Sequence, residues 1–554
     1  MKRSGGQILV DCLSAQGITH VFGVPGESYL AVLDAFYDCS PQIRFVNTRN
    51  EGGASFMAEA HGKLTGQPGI AFVTRGPGAT NASIGIHAAM QASTPMILFI
   101  GQIPMSVRGR EAFQEVDYRA YFGPLAKWVT EIEDVERIPE IMSRAFATAL
   151  SGRPGPVVVA LPENVLSDMA DVTPGRKVIV PEPAPAPAEI AQIAERLGKA
   201  ERPLILAGGS RWTESGRNAL HQFASANGLP VASAFRFNDL FDNHSQNYIG
   251  EAGIAMAPHV QKMIREADVI LACGVRFGEM TTGDYSLFSA PDTPQFLIHA
   301  HAADSELGKI YQANLPVHSG PNTLFAALAD QSLALSPGRE AWRASGRDAF
   351  VAALECPQQP GPVDMAAVMA HLRQILPDDV IVTNGAGNFA TWPGKFLPLK
   401  TAGRLLAPQS GAMGYGLPAA VAAKLAAPER LVLCFAGDGD FQMNIQELAT
   451  ASQSGAAPVV LVLNNGTYGT IRMHQERHFP GRVSATDLSN PDFVKLAQAF
   501  GFHSERVDTT AGFAAAFDRA TAAPNGAVLE LIIDKESLTP RQTLSQIRAA
   551  AMQK

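Results

Sequence analysis

The chain is poor in the residues that staple or anchor a protein. Its 554 residues include five cysteines, Cys12, Cys39, Cys273, Cys356 and Cys434. The number is odd and no pair has a CxxC or other metal-ligand spacing. Neither a disulfide framework nor a zinc site is expected, and a reducing cytoplasm is the expected setting. No window approaches the roughly 20 apolar residues of a membrane span, so no membrane association is expected. The stretch MKRSGGQILVDCLSAQG carries positive charge but no sustained apolar core, and does not read as a signal peptide. Basic blocks are also missing and the formal charge is -8, which argues against a nucleic-acid surface. What remains is ordinary globular composition, 46% hydrophobic and 17% charged, in a chain too long for one core. At about 100 to 200 residues per domain, three or four domains are expected, and three fits best.

Two breaks divide the chain. Residues 181–188 (PEPAPAPA) form a proline-alanine run that suits neither a regular helix nor a central strand, and such runs act as semi-rigid spacers. The periodic pattern lapses again at 356–363 (CPQQPGPV). The blocks so defined, 1–170, 190–335 and 364–540, each alternate short apolar strands with helical stretches, the pattern of parallel α/β sheets. In the middle block, Pro203 to Ala207 (PLILA) runs into Gly208-Gly209. Such a strand-to-glycine turn is a weak nucleotide-binding signal, because it is common without any ligand. No internal repeat is evident beyond the general likeness of the blocks.

The most specific pattern lies in the third block. Leu431 to Ala436 predicts a buried strand ending in Gly437-Asp438-Gly439-Asp440, where the glycines are expected to let the chain turn sharply against a phosphate. A helix is predicted over 444–452 (NIQELATAS), and a strand from Pro458 to Leu463 then delivers Asn464-Asn465 to the same edge. That is one βαβ crossover, and open α/β sheets bind ligands at the carboxyl ends of their strands. Magnesium takes hard oxygen ligands shared among one or two carboxylates, phosphates and water. Asp438 supplies charge, Asn465 a neutral carbonyl oxygen, and the backbone carbonyl of Thr467 lies within reach as a third ligand. GDG alone reads equally well as a simple turn; followed by helix, strand and paired asparagines it is far more specific.

This spacing resembles the signature of thiamine-diphosphate enzymes, and GDGDFQMNIQELATAS is similar to their acetolactate synthase branch. Upstream, VNTRNEGGASFMAEAHGKLTGQPGIAFVTRGPGATNA resembles the family's pyrimidine-binding domain. Gly101-Gln102, AFQE at 112–115 and GRPGPVVVALPENV at 152–165 extend the likeness over nearly the whole chain. The resemblance implies three parallel-sheet α/β domains: pyrimidine-binding, Rossmann-like middle and diphosphate-binding. The outer two would hold the ends of thiamine diphosphate and Mg2+ across a dimer interface, so a homodimer or homotetramer is expected.

Residue by residue, Glu51 falls at the family's catalytic glutamate, beside N1′ of the aminopyrimidine, where an apolar pocket would favour a shared proton. Taken alone it is an acid at the start of a helix running from about Gly52, where the dipole favours it. Met413 in SGAMGYGLPAA stands where the family wedges the cofactor rings into a V, and Gly411 would offer its carbonyl to the exocyclic amine. By itself Met413 is an ordinary core methionine. Gly23 to Gly26 (GVPG), with Pro25 and Gly26, would abut the pyrimidine, Asn81 would contact the cofactor, and Gln114 would face C2 and the bound carbonyl. The diphosphate would lie against 385–389 (GAGNF), including Gly387 and Asn388, and against Gly437, Asp438, Gly439 and Asp440. The synthase pattern usually has glutamine and histidine where this chain has Asn388 and Phe389, so one polar diphosphate contact is weakened or replaced. Asp440 beside a diphosphate is unfavourable unless its side chain points away.

His87, in a helical stretch beginning near Asn81, stands where the synthases carry a small residue. It is a candidate proton donor, set against the commoner role of a hydrogen-bonded core histidine. The synthases also use an arginine for the acceptor carboxylate and a tryptophan that favours 2-oxobutyrate; these positions align with Met280 and His474. A thioether cannot bind a carboxylate. The resemblance therefore implies a 2-oxo acid decarboxylase or carboligase, acetolactate synthase-like, with a non-standard acceptor pocket. The alternatives are a carbon–carbon lyase of the benzaldehyde lyase or 2-hydroxyacyl-CoA lyase type, and a non-catalytic cofactor-binding paralogue. Gly208-Gly209 with Arg276 resembles part of the family's FAD site. Glu251 to Ala255 (EAGIA) and Ile298 to Ala302 (IHAHA) remove other contacts, so FAD is not expected.

Overall fold

A computed structural model describes residues 2–334 and 337–553; the outer limits expected for the first block at residue 1 and the second at 335 lie outside the described residues. Three six-stranded parallel sheets follow one another along the chain. The first holds β1 (His20–Gly23), β2 (Arg44–Asn47), β3 (Gly69–Val73), β4 (Met96–Gln102), β5 (Trp128–Glu131) and β6 (Pro156–Pro162), in the order β2-β1-β3-β4-β6-β5. The second holds β7 (Pro203–Ala207), β8 (Val231–Ala234), β9 (Tyr248–Ala252), β10 (Val269–Cys273), β11 (Phe296–His301) and β12 (Leu315–His318), in the order β9-β8-β7-β10-β11-β12. The third holds β13 (Ile381–Asn384), β14 (Arg404–Leu406), β15 (Val432–Gly437), β16 (Val459–Asn464), β17 (His503–Val507) and β18 (Ala527–Ile532), in the order β14-β13-β15-β16-β18-β17.

The first and third sheets thus share one topology, a duplication that the sequence does not display. Strands β3, β4 and β6 are buried along their whole length. Helices cover both faces of a parallel sheet, which is why these strands read as unbroken apolar runs instead of alternating.

The two outer sheets' domains also share a core. Helix α1 (Glu51–Thr65) packs on α4 (Gly416–Ala426) through alanines such as Ala54, Ala58, Ala419 and Ala422. At their crossing the Tyr415 hydroxyl donates to Glu59, a fully buried carboxylate that also accepts from Thr94 at 2.7 Å and lies 3.6 Å from Lys63. Buried charge is tolerable only with such partners.

Three local expectations need correction. The stretch expected to be helical from Asn81 begins earlier, as α2 (Gly76–Ala92), because Pro77 suits a first helical turn. The helix expected over 444–452 starts later, as α6 (Glu447–Ser454), and a separate short one, α5 (Asp438–Gln442), starts inside GDG itself. Asn444 interrupts them by donating its side-chain amide to the Gly414 carbonyl at 2.8 Å, the competition with helix that makes asparagine a turn former. The last residues of PEPAPAPA also open a helix, Pro187–Lys199, since proline costs nothing in the first turn. All five cysteines are free, and no helix among the described residues is long and apolar enough to cross a membrane.

Candidate functional site

In the third sheet the neighbours β13 and β15 send the chain in opposite directions, outward to β14 and onward to β16. The crevice beyond the carboxyl ends of such a pair is where open α/β sheets place ligands. A cavity of about 260 Å³ occupies it, walled by Gly387, Asn388 and Phe389 after β13 and by Gly437 to Asp440 after β15. Asn465, Thr467 and Tyr468 after β16 line the same cavity, as do Gly411 and Met413 before α4.

Asp438 opens α5 and is buried. Its Oδ1 accepts from the Gly439 amide at 2.9 Å, and its Oδ2 from the Gly466 amide and the Asn490 side chain, both at 2.8 Å. Burial holds the carboxyl above its usual range in spite of these donors. The Asn465 side-chain oxygen accepts from the Thr467 amide at 3.1 Å, while the Thr467 hydroxyl donates to Thr486 at 2.8 Å. One carboxylate, one amide oxygen and a nearby backbone carbonyl make a hard-oxygen set that suits Mg2+. Among the described residues no cluster of three His, Cys, Asp or Glu side chains could hold a metal on its own, so phosphate oxygens or water would have to complete such a site.

Sequence reasoning missed Asn490. It also donates to the Asn464 side chain at 2.8 Å and accepts from Gln442 at 2.9 Å, which fixes its orientation. Nothing local to it marks that role.

The glycines of GDG are needed for a different reason from the one expected. Neither has a positive φ, and Gly437 is extended at −77°. A Cβ at Gly437 would lie 2.7 Å from the Phe389 ring, and one at Gly439 2.6 Å from the Tyr468 ring. Close approach of aromatic rings, not a sharp turn, excludes side chains here. Asp440 has an equally specific occupation, since its Oδ1 accepts from the amides of Gly414 at 2.9 Å and Ala386 at 3.2 Å. The carboxylate ties the two cavity loops together from beneath. Burial raises its carboxyl to about 7, opposed by these amides and by Arg236. Asn388 engages α7 (Gly469–His478): its amide donates to the Thr470 hydroxyl at 2.9 Å, which returns a bond to the Asn388 side chain at 3.0 Å.

The remaining candidates lie elsewhere. Glu51 is the first residue of α1, capped by Asn50, and accepts from the Asn81 side chain at 2.9 Å. Pro25 and Gly26 follow β1, and a Cβ at Gly26 would lie 2.6 Å from Thr74. Gln114 has a φ of 66°, and its carbonyl accepts from Gly76 at 3.1 Å. These residues gather at the carboxyl edge of the first sheet, and none lines the 260 Å³ cavity. His87 is exposed, not the core residue that a lone helical histidine usually is, because α2 buries its glycine and alanine face instead. It lines a separate cavity of about 400 Å³ with Arg276, Met280 and Gly411. His474 is exposed on α7, its ring 6.3 Å from that of His478, so the structure does not bring Met280 and His474 together in either cavity. In the middle sheet, His299 bonds the Val275 carbonyl at 2.9 Å and His301 bonds Ala303. Burial pushes both imidazoles down, His301 to about 4, so they are neutral at pH 7. Among the described residues the buried Nε of Arg276 has no hydrogen-bond partner, and its guanidinium donates to the Gln91 carbonyl.

Three parallel sheets in this order, with a crevice at the carboxyl edge of the third, agree with what comparison finds. Residues 3–121, 190–328 and 385–531 match the N-terminal TPP binding domain, central domain and C-terminal TPP binding domain of thiamine pyrophosphate enzymes. The chain belongs to the thiamine pyrophosphate enzyme family. Within it, the chain is acetolactate synthase-like. It is 31% identical to the acetolactate synthase isozyme 2 large subunit of Escherichia coli (strain K12), over 96% of each chain. It is also 31% identical to the acetolactate synthase large subunit of Parasynechococcus marenigrum (strain WH8102), over 91% of this chain and 83% of that one. Identity to the mitochondrial catalytic subunit of Saccharomyces cerevisiae is 30%, over 96% of this chain and 81% of that one.

Proposed function

We propose that this protein uses thiamine diphosphate and Mg2+ to decarboxylate a 2-oxo acid and to join the remaining acyl unit to an aldehyde, a ketone or a proton. The observation that carries the reading is the oxygen set of Asp438, Asn465 and Thr467 in one cavity with Gly411 and Met413. When bound, thiamine diphosphate supplies a nucleophilic carbon for attack on carbonyl groups. Asp438, Asn465 and the Thr467 carbonyl would hold the metal, and the backbone at Gly387, Asn388, Gly437, Gly439 and Asp440 would hold the diphosphate. Met413 would keep the two rings bent, with the Gly411 carbonyl accepting from the exocyclic amine. Block 1–170 would serve the pyrimidine and block 364–540 the diphosphate, with 190–335 as the spacer between them.

Glu51 would hold a proton at N1′ of the pyrimidine, with Pro25, Gly26 and Asn81 beside it and Gln114 facing the reacting carbonyl. Because no residue of the first sheet's domain lines the cavity, we assign these residues to the cavity of a second copy, in an isologous dimer or a tetramer built from it. The shared topology of the two sheets supports this, as do the exposed apolar side chains Phe113 (76%) and Ile471 (55%) beside Gln114 and Thr470. His87 and His474 are the candidate proton donors to a substrate oxygen. Met280 offers an acceptor an apolar wall, which favours neutral aldehydes over a second 2-oxo acid and is equally at home in a carbon–carbon lyase. Neutral His299 and His301, tied to backbone, leave no carboxylate for flavin hydroxyls, so we expect purified protein without a flavin absorbance band.

A screen of 2-oxo acid donors against aldehyde, ketone and 2-oxo acid acceptors, with cofactor and Mg2+ present, tests the reading. Carbon dioxide release with a ligated product, or with the aldehyde left by protonation, is expected. Cleavage of acyloins without decarboxylation would move the assignment to a lyase, and no turnover of either kind would leave a non-catalytic paralogue.

A further inference from the structure

Between the middle and third sheets lies a cavity of about 700 Å³, larger than the cofactor crevice and within the range of small-molecule sites at domain junctions. Its floor is apolar, built from Met256, Val260, Phe350, Phe396 and Leu397. Its rim is cationic. Lys395 is paired with Glu251 at 2.7 Å, and Glu251 also accepts from the Arg236 amide, so the only carboxylate on the wall among the described residues is already engaged. His259 bonds the Ile249 carbonyl at 2.8 Å, and burial keeps its imidazole neutral at pH 7. Arg477 is exposed, and its guanidinium is in no hydrogen bond or ion pair among the described residues. Among the described residues the Arg541 guanidinium donates only to the backbone carbonyls of Ala353 and Glu355, at 3.0 and 3.1 Å. Two guanidinium groups without an acid partner therefore overhang an apolar basin. That arrangement is complementary to an organic anion with an apolar body.

The same walls reach the cofactor crevice. Helix α3 (Thr391–Phe396) gives Lys395 to this cavity and Trp392 to the crevice. Helix α7 gives Arg477 here and Thr470 and Ile471 there, and the segment after β18 gives Thr539 here and Ser537 and Leu538 there. A ligand that orders three shared walls in one cavity changes what the other costs to occupy.

We propose that this cavity is a binding site for a small amphipathic carboxylate or phosphate ester, and that its occupancy is coupled to cofactor binding. The inference is independent of the donor and acceptor substrates. Titration of the full-length protein with octanoate, octyl phosphate and octan-1-ol by calorimetry tests it. At least one anion is expected to bind about tenfold or more tightly than the alcohol, and the tighter of the two identifies the anion class. Arg477→Ala/Arg541→Ala is expected to lose about tenfold in anion affinity, as for a lost charged hydrogen bond, without losing its thermal transition. Ala349→Trp, which fills the basin from the helix Pro337–Ala353, is expected to block binding by volume. Saturating anion should change the thiamine diphosphate Kd severalfold, with the same factor in the reverse titration. Equal affinity for the alcohol, unchanged affinity in the double arginine variant, or no binding at all would overturn the site. Binding with an unaltered cofactor Kd would overturn the coupling.

Discussion

Asn490→Ala is the sharpest test of how the metal end of the crevice is built. Asp438 has three donors, two of them backbone amides that no side-chain substitution removes. The third is the Asn490 amide, 2.8 Å from Oδ2. A hydrogen bond to an ionised acceptor contributes about 1.5–3 kcal/mol. With water and the Gly466 amide compensating in part, a loss near the lower end is expected, about tenfold in the Mg2+-dependent Kd for thiamine diphosphate. The damage stays local. Asn464 keeps its bond to Glu530 at 2.7 Å, and Gln442 keeps the Asp438 carbonyl at 3.2 Å. Asp438→Ala, by contrast, removes the only carboxylate of the proposed ligand set and should abolish tight binding. Calorimetric titration with Mg2+ present, repeated with a chelator, separates the cases, and a thermal melt checks the fold. The reasoning fails if Asn490→Ala binds like wild type in Mg2+, or if it weakens binding equally with the metal removed.

Glu51→Gln should fold and bind cofactor yet exchange the cofactor's C2 proton roughly 100- to 10,000-fold more slowly, as read by NMR. Mixing it with Asp438→Ala should restore part of the activity if Glu51 serves a second copy, and no recovery after subunit exchange would remove that assignment. Met280→Arg should raise acetolactate formation from pyruvate about tenfold, the yield of a new charged hydrogen bond; efficient synthesis by wild type with no gain in the variant would refute the acceptor reading. Buried Glu476 is held at about 2 by Arg548 first, then by the Gly481 amide and Arg472. A carboxyl depressed on folding stabilises fully above its unfolded value near 4.5, and that stabilisation is lost as pH falls through 2. Proteolysis of the carboxyl-terminal helix Leu544–Met552 should therefore rise between these values in wild type, and Glu476→Gln should flatten the profile; parallel profiles would contradict it.

How much of this could be read from the chain alone depends on whether the cause was local. The apolar runs at Pro203 to Ala207 and Leu431 to Ala436 form strands, the second as Val432–Gly437, because a sheet covered on both faces leaves no polar alternation, a constraint written into consecutive residues. The GDG and asparagine pair were legible for the same reason: a strand end, a turn and a crossover place Asp438 and Asn465 together through short-range connection. What failed was whatever depends on residues distant in sequence. The glycines of GDG were credited to backbone conformation, whereas Phe389 and Tyr468 impose them from other loops. Asp440 looked like a misplaced charge beside a diphosphate until Gly414 and Ala386 appeared as its partners. Asn490 carried no signal at all. The duplicated topology of the outer sheets was invisible because strand order is a property of connections, not of composition. That duplication has a functional corollary. Each chain carries two topologically equivalent carboxyl edges, one with Glu51 and one with Asp438, and Glu51 is not among the residues that line the Asp438 cavity. A sequence can name both edges, whereas the proposed closure of one copy's cavity by another copy's Glu51 would rest on contacts between chains that no stretch of sequence marks.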